Sequence, residues 1–339
     1  MKQAGRWLSS AVGLLTGLYA AGLVLFVGWQ LWLPREVSLL ALAAAFMPFL
    51  FAPLLASLPL AWIARARGSL ALHGVALGLF LTLYGGRLIA PTLRTSAPQA
   101  HEQPATVLTY NLRYEFHAPE ELADALLAHP VDLLAVQELA PSAEAYLARA
   151  LGERYPHQSS DAWRSDVALY TRHPIRDHEW RTLAHKPGGA LLATVAMPGG
   201  DWRVIVVHPY SPRPVRLLGM PLPLGVSYRD LDHDLAELLD EQLALGLPVL
   251  LLGDLNASEQ SLAYRVARMR LSDAYTRAGW GLGLTFPQGW SVRGRPIPFA
   301  LVRIDYVMYS QPLRATRARV LCGDVSDHCA LLAELTMTR

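Results

Sequence analysis

Three unbroken apolar runs open the chain, and a train of short apolar segments with polar ends follows. Residues 11–33 carry no charge, and Gln30 is their one strongly polar side chain; residues 37–64 carry no charge either; residues 70–90 are interrupted by His73 and Arg87. Each run reaches the roughly 20 residues that a helix needs to cross the hydrocarbon core of a bilayer. Pro48, Pro53 and Pro59 read as kinks inside the second run, since a spanning helix tolerates them. Trp29, Trp32 and Trp62 near the run ends suit interfacial anchors. The pattern predicts a membrane domain over 1–90 with three transmembrane helices, at about 11–33, 37–64 and 70–90. The competing readings are a signal peptide for the first run and a soluble three-helix core for all of them. No small-residue cleavage site follows Trp32, and no face of any run is polar. Residues 91–105 are rich in Pro, Ala, Ser and Thr and read as a linker.

Beyond the linker the period changes. Residues 119–129 open with Pro119 and two glutamates and set Leu122, Leu126 and Leu127 on one face, a helix with acids at its positive end. Residues 141–151 and 228–245 have the same amphipathic helical spacing. Strands are predicted at 106–110, 131–138, 166–172, 191–197, 202–209, 248–256, 302–310 and 329–337. The order mixes β-α-β units with consecutive strands, and 187–209 reads as a meander. Strict alternation would imply a doubly wound parallel sheet. The mixture implies an α/β protein with two packed, mostly antiparallel sheets flanked by helices.

Charge divides the chain at the same place. Residues 1–100 hold seven basic side chains and Glu36, a sum of +6, and the remaining 23 basic and 27 acidic residues sum to −4. The formal +2 of the whole chain therefore describes neither part. Lys2 and Arg6 precede the first run, and Arg65 and Arg67 lie between the second and third. The positive-inside rule places both groups in the cytoplasm. Three crossings then place residues 106–339 outside, as a periplasmic or cell-surface domain of an integral membrane protein, although Arg87 and Arg94 count the other way. Two cysteines in 339 residues exclude a disulfide-built scaffold and a multi-cysteine metal centre. Cys322 and Cys329 bracket one short turn, and two buried thiols and a disulfide both remain open.

Candidate chemistry sits where apolar strands hand over to polar residues. Asn111 ends LTYN, Glu138 ends LLAVQE, His208 ends VIVVH, Asp254 and Asn256 end LLLGDLN, and Asp305 interrupts VRIDYV. Ser326, Asp327 and His328 stand just before the last strand. Taken singly, each has an ordinary explanation as a turn residue, cap or rim side chain. Asp305 is the hardest to explain so, because a carboxylate inside an apolar strand is costly unless partnered.

Taken together, LTYNLR, QE, a strand-end histidine, GDLN, RIDYV and SDH resemble, in order, the endonuclease/exonuclease/phosphatase superfamily of divalent-metal phosphodiesterases, which includes deoxyribonuclease-like and neutral-sphingomyelinase-like branches. The resemblance covers about 104–338 and implies a membrane-anchored member with a four-layer α/β/β/α sandwich. It also implies Mg²⁺ or Mn²⁺ held by Glu138, with Asn111 beside it and Asp327 either completing the shell or pairing with a histidine. Oxygen donors without thiolates suit those ions. By the same resemblance, Asp254 orients or deprotonates the attacking water and Asn256 donates to a phosphoryl oxygen. His208 and His328 flank the phosphate as acid and base in an order left open, and Asp305 orients His328. Asp166, Arg303 and Trp290 form a second tier. Asp166 is a partner for a histidine or a strand cap, Arg303 a phosphate contact or a sheet-surface residue, and Trp290 a lining of the cleft.

The partners implied are a phosphodiester, either nucleic acid or a lipid headgroup, and the bilayer. Nuclease chemistry fits the catalytic pattern. A net −4 with a single lysine, Lys186, argues against tight binding to a nucleic-acid backbone. The apolar, proline-rich segment 209–227 beside His208 favours a phospholipid, sphingomyelin or phosphomonoester near a membrane. A non-catalytic, membrane-tethered binding module is the remaining alternative, although every site position holds a chemically suitable residue.

Overall fold

The computed structural model describes residues 2–32, 39–93, 95, 102, 104–114, 118–215, 225–228, 230–289, 291–292, 295–297 and 299–338. Two compact units emerge, Met1–Leu88 with Pro214–Val226, and Ile89–Arg213 with Ser227–Arg339.

In the first unit, the long helices Lys2–Trp32 and Arg67–Phe80 pack where Gly13 and Gly17 face Ala66 and Ser69; a Cβ on Gly13 would approach Ala66 Cβ to 2.7 Å. Thr16 and Ser69 share a 2.8 Å hydrogen bond, and His73 is held by Ser69 O and Ser57 Oγ, each at 2.8 Å. The middle apolar run departs from expectation. It is divided into Leu39–Ala45, Met47–Leu50 and Leu54–Ile63. Pro48 and Pro53 stand at two of these helix starts, where a missing N–H and a fixed φ are tolerated but a continuous helix is not.

Among the described residues two helices, not three, are long and apolar enough to span a bilayer: Arg6–Trp32 and Arg67–Leu88. A core helix or a signal sequence meets the same measure of length and composition. The expected three-helix membrane domain therefore does not hold. Nor does the expectation of an integral membrane protein with an extracytoplasmic catalytic domain, which needed an odd number of crossings.

The second unit is an α/β sandwich of two six-stranded sheets. In chain order the strands are β1 (Ala105–Asn111), β2 (Leu133–Gln137), β3 (His157–Ser159), β4 (Ala168–Thr171), β5 (Ile175–Leu183), β6 (Lys186–Met197), β7 (Gly200–Val207), β8 (Arg213–Val215), β9 (Gly225–Ser227), β10 (Val249–Asp254), β11 (Ser272–Asp273), β12 (Ser291–Val292), β13 (Arg295–Pro296), β14 (Asp305–Tyr309), β15 (Leu313–Leu321) and β16 (Ala330–Met337), with β8 and β9 at the borders of the segment grouped with the first unit. One sheet has the order β15-β16-β1-β2-β4-β3 and the other β11-β14-β10-β7-β6-β5; β8–β9 and β12–β13 are two-stranded ribbons.

Inward residues of both sheets, among them Val107, Leu133, Leu191, Val204, Leu252, Val307 and Leu331, make one core. A second core lies between the sheet containing β10 and the helices Leu231–Leu243 and Leu262–Arg270. A third lies between the sheet containing β1 and the helices Pro119–Leu127 and Pro141–Gly152. Central strands are thus buried on both faces, which is why they read as continuous apolar runs.

Strand direction decides where the chemistry goes. β1 and β2 are parallel, as are β7 and β10. β4 and β16 run against the first pair, and β6 and β14 against the second. Four strands therefore end, and four begin, at the same rim. Asn111, Glu138, His208 and Asp254 lie at the strand ends. Asp166, Lys186, Asp305 and His328 lie at or just before the strand starts.

Candidate active site

At this rim the backbone is unusual before any side chain is considered. Glu138, Asn256 and Arg113 have φ of 55°, 51° and 56°. Non-glycine residues adopt this region at a cost, and such positions gather at functional sites. Gly253 has φ 141°, and a Cβ there would lie 2.1 Å from Val207 O. Glycine is what lets β10 close on β7 one residue before Asp254.

Asn111 is fully buried and its Nδ2 donates to Glu138 Oε1 at 3.0 Å and to Asp254 Oδ2 at 3.1 Å. Its Oδ1 accepts from the Arg113 N–H at 3.0 Å. Asp254 and Asp305 are cross-strand partners, both buried. Like charges so placed repel. Burial first, and then Asp305, push the Asp254 pKa up to about 6, against the opposing pull of His328 and His208. His328 is also buried, which by itself would lower its pKa. Asp305 outweighs that, accepting from Nδ1 at 3.0 Å, and together with Asp254 and Asp327 raises His328 to about 9. The Phe286 ring packs on the imidazole at 4.7 Å between centroids.

The turn bearing Asp327 and His328 is tied down at several points. Ser326 Oγ donates to Asn111 O and accepts from the His328 N–H. Gln288 N–H donates to Asp327 O, and Cys329 N–H to Thr285 O. Arg113 Nε lies 3.5 Å from Asp327 Oδ2. A Cys322–Cys329 disulfide, with Cα atoms 4.2 Å apart, closes the turn.

On the opposite side, His208 Nε2 lies 3.7 Å from Glu138 Oε1 and 3.9 Å from Asp254 Oδ2. Its Nδ1 lies 2.8 Å from Asp166 Oδ2. Burial favours a neutral Asp166, but the hydrogen bonds and charges of His208 and Lys186 win and draw its pKa down to about 2. Asn256 holds Asp254 Oδ1 through its backbone N–H at 2.6 Å, donates one side-chain N–H to Pro209 O, and accepts from Ser211 Oγ.

These contacts bring Asn111, Glu138, His208, Asp254, Asn256, Asp305, Asp327, His328 and Asp166 to one place. Arg303 does not join them. Its guanidinium is buried against Glu259 and Asp273, with Tyr306 beneath it at 4.6 Å. The expectation that it reaches a phosphate or the sheet surface is corrected: the buried carboxylate of Asp273 and the partly buried one of Glu259 claim it. Trp290 and the middle of segment 209–227 lie outside the described residues. Sequence reasoning missed Lys186 as a site residue, and Thr285 and Phe286, which pack behind Asp305 and His328. The one available signal for Lys186 was its rarity.

A family model described as the Endonuclease/Exonuclease/phosphatase family matches residues 108–328. The chain belongs to this family. Solved members of the endonuclease/exonuclease/phosphatase family share the fold. One from Bacteroides vulgatus has TM-score 0.55 and 16% identity, over 70% of this chain and 100% of that one. One from Bacteroides thetaiotaomicron has TM-score 0.54 and 17% identity, over 70% and 100%. A mannosyl-6-phosphatase from Bacteroides thetaiotaomicron aligns with TM-score 0.50 and 17% identity, over 68% and 99%. No curated protein matches the chain in sequence. This endonuclease/exonuclease/phosphatase enzyme is a metal-dependent hydrolase of phosphoric ester bonds.

Among the described residues, Asp254, Asp305 and His328 offer ligand atoms within 4.8 Å of one another. This group differs from the expected Asn111, Glu138 and Asp327, to which Asn111 Nδ2 directly joins it. The rim fits a divalent cation. Among the described residues Asp305 Oδ1, which is buried, has no hydrogen-bond partner, a costly state for a carboxylate oxygen. Burial, followed by the field of Asp305, Asp324 and Asp327, pushes the neighbouring Tyr110 up to about 12. To ligate through oxygen, the Asn111 amide has to turn over and release Arg113 N–H.

Proposed function

We propose that this enzyme hydrolyses phosphodiesters with Mg²⁺ or Mn²⁺ and a nuclease-like catalytic pattern. The observation that carries the reading is the convergence, from both sheets, of a carboxylate cluster with two histidines, each backed by its own aspartate. Glu138, Asn111 and Asp327 would hold the ion, with Asp254 and Asp305 beside them. When bound, the ion offsets charge on the phosphoryl and leaving oxygens.

The chain's own groups do the rest. Asp254, fixed by the Asn256 N–H and the Asn111 amide, orients the attacking water and accepts its proton. Asn256 has a second side-chain N–H, beyond the one given to Pro209, for a phosphoryl oxygen. His328 presents Nε2, because Nδ1 belongs to Asp305. His208 presents Nε2 from the other side, because Nδ1 faces Asp166.

The test is a panel of plasmid DNA, RNA, sphingomyelin, phosphatidyl lipids, a phosphomonoester and a chromogenic phosphodiester, each with Mg²⁺, Mn²⁺ or EDTA. We expect metal-dependent cleavage of a diester, abolished in Glu138→Ala and in His328→Ala. Turnover that survives EDTA, or cleavage confined to monoesters, would refute the proposal. A lipid or small phosphoester is the second reading, favoured by the net −4 of residues 101–339. Cleavage of lipid and chromogenic diester without DNA or RNA would select it.

A further inference from the structure

Lys186 is the sole lysine after Lys2; arginine makes up the other 28 of the 30 basic residues. It is also the cation placed on the site's histidine–carboxylate pair. Its Nζ lies 2.8 Å from Asp166 Oδ2 and 2.8 Å from His208 Nδ1, and 5.7 Å from the Tyr210 ring centroid. With Asp166 Oδ2 and His208 Nδ1 also 2.8 Å apart, the three atoms form a closed triangle. The side chains of Lys186, Asp166 and His208 are only 13%, 21% and 7% exposed.

The local fold is arranged to deliver this ammonium. Leu183 and Lys186 pair across a two-residue turn in which Ala184 and His185 have φ of 49° and 64°. Such turns favour Asn and Gly, so these residues hold an uphill conformation. Gly188 then passes so close to Ser165 that a Cβ would lie 2.7 Å from the Ser165 Cβ, and Ser165 Oγ donates to Gly188 O at 2.6 Å. His208 N–H donates to Gly189 O at 2.8 Å. The hairpin is thus strapped both to the segment bearing Asp166 and to His208 itself.

We propose that Lys186 is a positioning residue whose ammonium locks Asp166 and the His208 ring together, so that Nε2 faces Glu138 and Asp254. A compact tetrahedral ammonium donates to the Asp166 oxygen and fits into the corner beside the His208 ring nitrogen that donates to the same oxygen. A planar guanidinium directs its N–H groups in a fixed fork and does not fit that corner. Lysine among so many arginines follows from this geometry.

The inference rests on the hydrolase reading of the same site, and one assay separates the two. Wild-type enzyme is first measured on a chromogenic phosphodiester with Mg²⁺ or Mn²⁺; no turnover there sinks the reading itself. With turnover established, Lys186→Met and Asp166→Asn should each lower kcat about 10- to 100-fold while KM stays within about 3-fold, as loss of an orienting partner does. The double variant should be no worse than the weaker single. Lys186→Arg should not restore kcat.

Both native cysteines are disulfide-bonded, so Lys186→Cys introduces one alkylatable thiol. Aminoethylation with bromoethylamine rebuilds an ammonium at this position and should recover most of kcat. Unchanged kcat in Lys186→Met, multiplying losses in the double variant, a KM effect alone, or failure of the aminoethylated, folded protein to recover would each overturn the proposal.

Discussion

Replacing Cys322 and Cys329 together by serine separates two roles that a disulfide beside a site can have. The bond joins residues seven apart, so it closes a loop of eight residues. The chain-entropy relation for a loop of that size gives about 2.5 kcal/mol at 25 °C. For a domain of this size that corresponds to a melting shift of about 5–10 °C. The turn keeps its other restraints: Ser326 on Asn111, Gln288 on Asp327, Thr285 on Cys329 and Asp305 on His328. The reasoning therefore predicts a large loss of stability and a small loss of activity, with kcat on a chromogenic diester falling less than about 10-fold while the fold persists. Urea unfolding at pH 7 and steady-state kinetics on the same preparation measure both. A shift below about 0.5 kcal/mol would refute the entropic account. A collapse of kcat beyond 100-fold in a protein that still unfolds cooperatively would show that the disulfide, not the hydrogen bonds, holds His328.

Three further predictions test separate links in the argument. Arg303→Met strands Glu259 and Asp273 without their cation and should cost about 3–5 kcal/mol, read by urea denaturation; a variant as stable as wild type would contradict the buried ion-pair assignment. Asp166 is depressed from 3.8 to about 2, so it contributes about 2 kcal/mol at pH above its unfolded value, lost as pH falls through its folded one. Asp166→Asn should therefore flatten the acid limb between pH 4 and 2 in urea midpoints; an unchanged limb counts against the pairing. Gly253→Ala should separate β7 from β10 and cost at least about 3 kcal/mol by thermal melting, and a neutral result would mean that the close approach is not rigid.

The rim was legible because buried strands have a simple signature. A run such as LLLG followed by Asp254, or VIVV followed by His208, has no packing reason to end in a charge or an imidazole. β5 was not legible: most of Ile175–Leu183 is exposed, so no alternation marks it. β15 hides for another reason, since Ala315 and Ala318 supply its inward side and arginines its outward one. Arg303 misled because proximity to Asp305 in sequence says nothing about which side of the strand a guanidinium takes. The second apolar run misled because hydrophobicity counts residues, whereas helix continuity depends on where Pro48 and Pro53 fall. Lys186 was invisible as a site residue because its meaning comes from a hairpin strapped to Ser165 and His208, a relation between distant positions.

Strand direction has one more consequence. β1 starts and β16 finishes at the rim remote from the site, where Ala105 pairs with Leu335. The sandwich is gripped from behind by both of its own ends. A short bridge between them would give a circular form whose new termini could open in any loop of that far rim. A partner fused after β16 would hang there too, with the mouth bearing Glu138 and His328 pointing away from the attachment.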